Sequence, residues 1–157
     1  MTPSKTLLAG FLALFVSSTA QAQTATPSAT SLQFAKSVAT ACVADWTAQS
    51  CLSAVSDSNL ALLSNYGADL QNRKMEAAAE NLKQHCAATT AANQQAVPPY
   101  AMHSALTECA NTITDIAAST GVQPDPSHYQ LLIAPLLCLG ANPACADITA
   151  QLKTYIQ

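Results

Sequence analysis

Charged residues, aromatic residues and glycine are all scarce in this sequence. Charged side chains make up 10% of the 157 residues, aromatic side chains make up 5%, and only four glycines occur. The formal net charge is −3, and no basic stripe for nucleic acid or polybasic segment for an anionic membrane surface is present. The composition therefore argues against both partner classes and predicts a surface of mainly neutral polar side chains.

Sequence motifs for catalysis are missing as well. The chain has no G-x-S-x-G elbow, no H-E-x-x-H zinc helix and no C-x-x-C redox pair. Its three histidines, His85, His103 and His128, could serve as a general base, but no motif surrounds them. We therefore predict that the protein is not an enzyme and has no catalytic residue or cofactor.

Two weaker arrangements leave other chemistry open. Met75 and Met102 could form a soft Cu(I) site together with His85 and His103. Both methionines fall on apolar stripes, however, which favours a role in the core. Glu76 and Glu80 could supply half of a glycosidase carboxylate pair, but their four-residue spacing is typical of a solvated helix face. We predict no metal ligand and no catalytic carboxylate.

The longest apolar segment lies at the N-terminus and resembles an export signal. A lysine provides the positive charge, residues 6–16 the apolar stretch, and Ala20-Gln21-Ala22 a small-x-small cleavage site. We predict a cleavable signal peptide over residues 1–22, with a retained anchor as the alternative. Residues 23–30 are expected to form a flexible spacer, and residues 31–157 a single helical domain.

Six cysteines follow the predicted signal peptide, and their even number indicates disulfides formed in an oxidising compartment. They are Cys42, Cys51, Cys86, Cys109, Cys138 and Cys145. A zinc site would need closely spaced pairs, whereas the intervals here contain 8, 34, 22, 28 and 6 residues. We predict sequential pairing, because each consecutive pair would bracket one predicted turn. Spacing alone leaves the other connectivities open.

One apolar run outside the N-terminal segment, Leu131–Leu139, predicts the centre of the fold. Its nine residues are too few to cross a membrane, and a helix that is apolar on every face belongs in a protein core. No stretch shows the strict alternation of a half-buried strand. We predict an all-α fold without a membrane span: a small disulfide-stapled bundle of five or six short helices around this run.

Cap residues and apolar spacing predict the helix boundaries in the first half of the chain. A capping box at Thr30–Gln33 opens a helix that runs to about Trp46. Cys51–Val55 is predicted as a brief helix, and Ser56–Ser58 as the cap of the next one. The face that this next helix should bury consists of Leu60, Leu63, Gly67 and Leu70. A turn is expected near residues 71–74, with one bent helix as the alternative.

Proline and glycine mark the boundaries in the second half. A helix should begin at Pro98-Pro99 and end at Gly121. Asp125-Pro126 opens the central helix and Gly140 ends it. Asn142-Pro143 then opens a last helix. The stripe that this last helix should bury consists of Ile148, Leu152 and Ile156.

Trp46 is the one residue that we predict as a partner contact, with a lid over the core as the alternative. In size, helical class and cysteine content the chain is similar to small periplasmic immunity proteins that neutralise secreted effectors. We predict a secreted or periplasmic, inhibitor- or immunity-like protein that binds another protein through a neutral polar helical surface. The alternative is a carrier of a small apolar ligand or lipid in the bundle interior.

Overall fold

Helices make up the regular structure of the protein, and the part of the chain that the structure describes contains no strand. The computed structural model describes residues 28–93 and 95–157. Its elements are α1 (Ala29–Cys42), α2 (Gln49–Asn72), α3 (Glu76–Cys86), a 3₁₀ helix (Ala87–Asn93), α4 (Pro99–Thr120), α5 (Pro126–Leu139) and α6 (Cys145–Lys153). The predicted all-α class is confirmed. The predicted signal peptide and residues 23–27 of the spacer lie outside the described residues.

All six cysteines are paired, and the sequential connectivity is confirmed. Cys42–Cys51 joins the end of α1 to the start of α2, and Cys86–Cys109 joins α3 to the middle of α4. Cys138–Cys145 joins the end of α5 to the start of α6. The three bonds therefore join the six described α-helices into three covalently linked pairs, α1 with α2, α3 with α4 and α5 with α6.

The long helix α2 and the apolar helix α5 share the centre of the bundle. α2 packs against α1, α3, the 3₁₀ helix and α5, and α5 also packs against α1, α4 and α6. On α5, the predicted central run is buried from Leu131 to Pro135 and again at Leu137. Leu52, Leu62 and Leu70 of α2 are almost completely inaccessible to solvent. Apolar burial on this scale is the main source of stability in a small domain.

The predicted start of a new helix at Ser56–Ser58 is wrong, because α2 continues as one helix through Ser56 and Ser58. Both serines are fully buried, so packing against the neighbouring helices overrides their preference for a helix cap. The predicted buried face is correct at Leu70, which is fully buried, but wrong at Leu60, which is 55% exposed. Asn59 and Tyr66 are buried instead. The predicted turn near residues 71–74 is confirmed and separates α2 from α3.

Four buried side chains carry polar atoms without a hydrogen-bond partner among the described residues. They are Ser56, Ser58, Asn59 and His128. The His128 ring lies edge-on to the Phe34 ring at a centroid distance of 6.0 Å, so α5 and α1 meet through an aromatic contact. Burying polar groups in this way costs free energy, which the apolar packing around them must offset.

Helix boundaries in the second half follow the predicted signals closely, apart from the last helix. α4 begins at Pro99 and ends just before Gly121, whose φ of 74° is the left-handed conformation that glycine favours. α5 begins after Asp125, whose side chain accepts hydrogen bonds from the first turn, and ends just before Gly140. No helix in the described ranges is both long and apolar enough to cross a membrane.

The two ends of the described domain differ from prediction. α1 starts at Ala29, two residues before the predicted domain, with Ser28 rather than Thr30 as the N-cap. The Asn142 side chain accepts a hydrogen bond from the Ala144 backbone at 2.9 Å, which forms a turn, and α6 therefore begins only at Cys145. Because α6 ends at Lys153, the predicted buried stripe stops at Leu152, and Ile156 is 47% exposed.

Candidate functional site

A cleft of about 320 Å³ lies where α1, α5 and α6 meet. Its buried floor consists of Ser31, Ala35, Leu131, Ala134, Ile148 and Leu152. Its outer wall consists of Leu32, Ser127, Gln130, Gln151, Thr154 and Tyr155. We call this site the α1–α5–α6 cleft.

Hydrogen-bonded helix ends hold the walls of the cleft in place. The Ser28 side chain accepts from the Ser31 backbone N–H at 3.1 Å, which begins α1 at the floor of the cleft. The Asp125 carboxylate accepts from the backbone N–H groups of Ser127 at 2.8 Å and His128 at 3.2 Å. Residues near each capped helix start line the cleft, among them Ser31 of α1 and Ser127 of α5. The cap of α5 therefore helps to position Gln130 on the rim.

A disulfide and a long-range hydrogen bond hold α6, the third wall. The Cys138–Cys145 disulfide fixes its first residue to the end of α5. The indole N–H of Trp46 donates a hydrogen bond to Thr149 Oγ1 at 3.2 Å, although the two residues are 103 positions apart. Half-buried Trp46 also packs against the core. It therefore links the loop after α1 to α6, and its use as a partner contact stays a prediction.

The chemistry of the cleft is neutral. Among the described residues that line it, none carries a charged side chain, and the polar groups are hydroxyls and side-chain amides. A charged group would lose its hydration here without gaining an ionic partner, which is unfavourable. An apolar group flanked by uncharged hydrogen-bonding groups is the best match for this surface.

Apolar side chains are also exposed at the edge of the cleft. Leu32 is 37% exposed on the wall, and Ile156 follows Tyr155, another wall residue, directly in the chain. Isolated exposed leucines are common on protein surfaces. Here one of them stands beside a concave apolar floor, the combination that protein interfaces use to receive an anchor side chain.

The structure does not bring the candidate metal ligands together. Cys86–Cys109 aligns α3 with α4, and Met75 precedes Cys86 by 11 residues whereas Met102 precedes Cys109 by 7. On an antiparallel pair these offsets run in opposite directions, which separates the two methionines by about 27 Å along the helices. Within residues 28–93 and 95–157, no group of three or more His, Cys, Asp or Glu residues is placed to hold a metal ion.

The other candidate catalytic residues are dispersed over the bundle. His85 Nδ1 lies 2.6 Å from Glu108 Oε1, in an exposed pair that joins α3 to α4. His128 is buried beside Phe34, and Glu80 accepts a hydrogen bond from Gln84 at 3.2 Å on the exposed face of α3. None of these side chains lines the α1–α5–α6 cleft.

Reasoning from the sequence missed the cleft entirely. Its walls come from α1 and from α5 and α6, two consecutive helices that are far from α1 in the chain. Its polar residues include glutamine, serine and threonine, which are abundant throughout. The sequence signals nearest to the cleft are the caps that begin α1 and α5. They predict where each helix begins but not that the two helix starts lie close together. A comparison with models of known protein families finds no match, and comparisons with curated proteins and with solved structures find none either.

Proposed function

We propose that this protein is a non-enzymatic binding protein of an oxidising, exported compartment, and that it binds another protein through the α1–α5–α6 cleft. The observation that carries the proposal is the combination of an uncharged concave floor with exposed Leu32 at its edge. The partner would insert an apolar side chain into the cleft, while its neighbouring uncharged groups face Gln130 and Gln151 on the rim.

The exported compartment is supported by the disulfides and by the N-terminal sequence. Three disulfides with no free cysteine are compatible with an extracellular protein, because thiols stay reduced in most cytosols. The signal-like residues 1–22 precede them in the chain. Secretion into a periplasm or to the outside, with an inhibitor- or immunity-like role there, is the form of the proposal that best fits both features.

Capture with matched charge variants tests this proposal. Leu32→Glu places a carboxylate at the edge of the cleft, whereas Leu60→Glu makes the same change on the exposed face of α2, outside the lining. Oxidised wild-type protein and both variants would be exposed to the source organism's envelope and secreted fractions, and bound proteins identified by mass spectrometry. We expect one stoichiometric partner for wild type and Leu60→Glu, and about tenfold weaker capture by Leu32→Glu.

Equal capture by both variants would contradict the cleft as the contact surface. Loss of capture with Leu60→Glu alone would contradict it as well and would move the interface to α2. Circular dichroism of both variants would establish that neither substitution unfolds the helices, since each changes an exposed side chain.

A second candidate function is the carriage of a small apolar ligand. The specific observation in its favour is the cleft volume of about 320 Å³, at the low end of the roughly 300–1,000 Å³ range of small-molecule pockets. The cleft, rather than the bundle interior filled by side chains such as Leu52 and Leu132, is where this ligand would bind. Native mass spectrometry of purified protein would show a passenger as extra mass, and the unliganded mass alone would count against a carrier.

A further inference from the structure

The three disulfides differ in their exposure to solvent. Cys42, Cys51, Cys86 and Cys109 each have 0% exposed surface, whereas Cys138 and Cys145 are both half-buried. Thiol–disulfide exchange requires direct attack of a thiolate on one sulfur, so access decides which bond reacts first. The connection between Cys138 and Cys145 is also largely open, with Gly140, Ala141 and Pro143 exposed.

The half-buried disulfide, Cys138–Cys145, holds the α-helix that has the fewest buried side chains among those described. α6 has nine residues, of which only Ile148 and Leu152 are buried. A helix of this length is marginal on its own in water, so its tertiary contacts keep it folded. Besides those two side chains, the described contacts that hold it include the disulfide and the Trp46–Thr149 hydrogen bond. Cys42–Cys51 and Cys86–Cys109 staple other helices and would not retain α6.

We infer that Cys138–Cys145 is a thiol–disulfide exchange site for a dithiol partner, and that its reduction releases α6 and opens the α1–α5–α6 cleft. Ile148 and Leu152 form part of the cleft floor, so release of α6 would remove part of the binding surface. This effect on partner binding rests on the proposed function. The exchange itself does not depend on that function.

The exchange is balanced in atoms and electrons. One thiolate of the dithiol attacks one sulfur of Cys138–Cys145, which breaks that bond and forms a mixed disulfide. The displaced sulfur takes up a proton. The second thiol of the partner then attacks the mixed disulfide, so the partner leaves oxidised as a disulfide and both cysteines remain as thiols. Two electrons and two protons pass from the dithiol to this chain.

Stepwise reduction of the oxidised wild-type protein tests the inference. Dithiothreitol would be the probe, with free thiols trapped by iodoacetamide over time and located by peptide mapping. We expect Cys138 and Cys145 to be alkylated at least about tenfold faster than the four buried cysteines. Trp46 is the only tryptophan of the chain, so a change in its emission should accompany this first step.

Hydrogen exchange of the singly reduced protein measures the release of α6. Amides of residues 145–153 should exchange at least about tenfold faster than in the oxidised protein, whereas those of α4 should keep their protection. The double variant Cys138→Ser/Cys145→Ser should show the same pattern without any reductant. If that variant does not fold, the alkylation order and exchange of the wild-type protein still decide the matter.

Reduction of all three disulfides together, or of a buried one first, would overturn the inference. Selective reduction that leaves the exchange of α6 unchanged would also overturn it, because the bond would then not hold the helix. Both measurements use the protein without a partner, so they stand whether or not the capture experiment finds one.

Discussion

At the level of single residues, Gly140 illustrates how a correct sequence signal can have a different physical cause. Gly140 ends α5 as predicted, but its φ of −84° is open to any residue. The left-handed residue is its neighbour Ala141, with φ 52°. A Cβ atom on Gly140 would lie 2.8 Å from His103 Nε2 and 3.2 Å from the Leu136 carbonyl oxygen. A Cβ atom at this position would therefore press on the end of a side chain from α4, whereas the backbone conformation of Gly140 does not require glycine.

Gly140→Ala is expected to lower the free energy of unfolding by about 1 kcal/mol, the low end of the cost of overpacking, because the His103 ring must shift to make room. His103→Ala would remove the nearer of the two clashes, so Gly140→Ala should cost less in that background. Urea unfolding of wild type, the two single variants and the double variant would measure this coupling. An equal cost of Gly140→Ala in both backgrounds would contradict the proposed contact.

Tyr66 links stability to pH at the alkaline end. Its hydroxyl donates a hydrogen bond to the Val122 carbonyl at 2.8 Å, and burial, with a smaller contribution from Asp69, raises the pKa of Tyr66 to about 12. Burial raises the pKa of Tyr129 as well. In the unfolded chain a tyrosine ionises near pH 10, so the native state keeps its proton more tightly. The folding stability that Tyr66 contributes through this tighter proton binding is complete below pH 10 and is lost as the pH rises towards 12.

Urea unfolding between pH 8 and 11 should show stability falling above pH 10, and Tyr66→Phe should flatten that fall. At pH 8 the same variant should lose about 1 kcal/mol, because the Val122 carbonyl loses its donor. Tyr100→Phe is the matched control, since Tyr100 is 77% exposed. A fall of equal steepness in wild type and Tyr66→Phe would exclude Tyr66 as its source.

At the level of helices, sequence signals succeeded where backbone chemistry decides the outcome. Proline predicted where α4 and α5 begin, and Gly121, with its left-handed backbone, predicted where α4 ends, because these residues restrict or free the backbone locally. The signals failed at Ser56–Ser58, where burial within α2 outweighs local cap preference. They failed again at Leu60, which is exposed within α2, and at Ile156, which lies beyond the end of α6.

The Asp125 cap of α5 provides a test at this level. Asp125→Ala removes the acceptor for the Ser127 and His128 backbone N–H groups and should cost about 1 kcal/mol of stability. Asp125→Asn keeps an acceptor oxygen and should therefore retain most of the stability that the cap provides. Hydrogen exchange of residues 127–130 should rise in the alanine variant only, because the first turn of α5 loses its cap. If Asp125→Ala were as stable as the wild type, the cap would contribute little.

At the level of the whole molecule, the connectivity was predictable and the cleft was not. Each disulfide closes a short loop between successive helices, which stabilises by roughly 2.5–3.5 kcal/mol per bond in the chain-entropy model. Short loops favour neighbouring partners, so cysteine spacing carries this information. The cleft depends on how α1, α5 and α6 pack, and no periodic pattern encodes the gap that three helices leave between them.

The cleft is the feature of the bundle that supports the proposed binding function, because helix packing alone does not require it. Its uncharged floor, the exposed Leu32 and the rim amides of Gln130 and Gln151 occur together at one place on the surface. α6 carries part of that floor and also one cysteine of the half-buried disulfide. Binding and redox control would then act on the same helix.

Site-specific photo-crosslinking tests the binding function most directly. A benzophenone amino acid at Gln151 would stand on the rim of the cleft, and the same amino acid at Gln84 would stand on the exposed face of α3. Irradiation in the native secreted or envelope fraction should produce one defined crosslinked protein from position 151 and none from position 84. Crosslinks from position 84 alone, or the same products from both positions, would contradict the cleft as the binding surface.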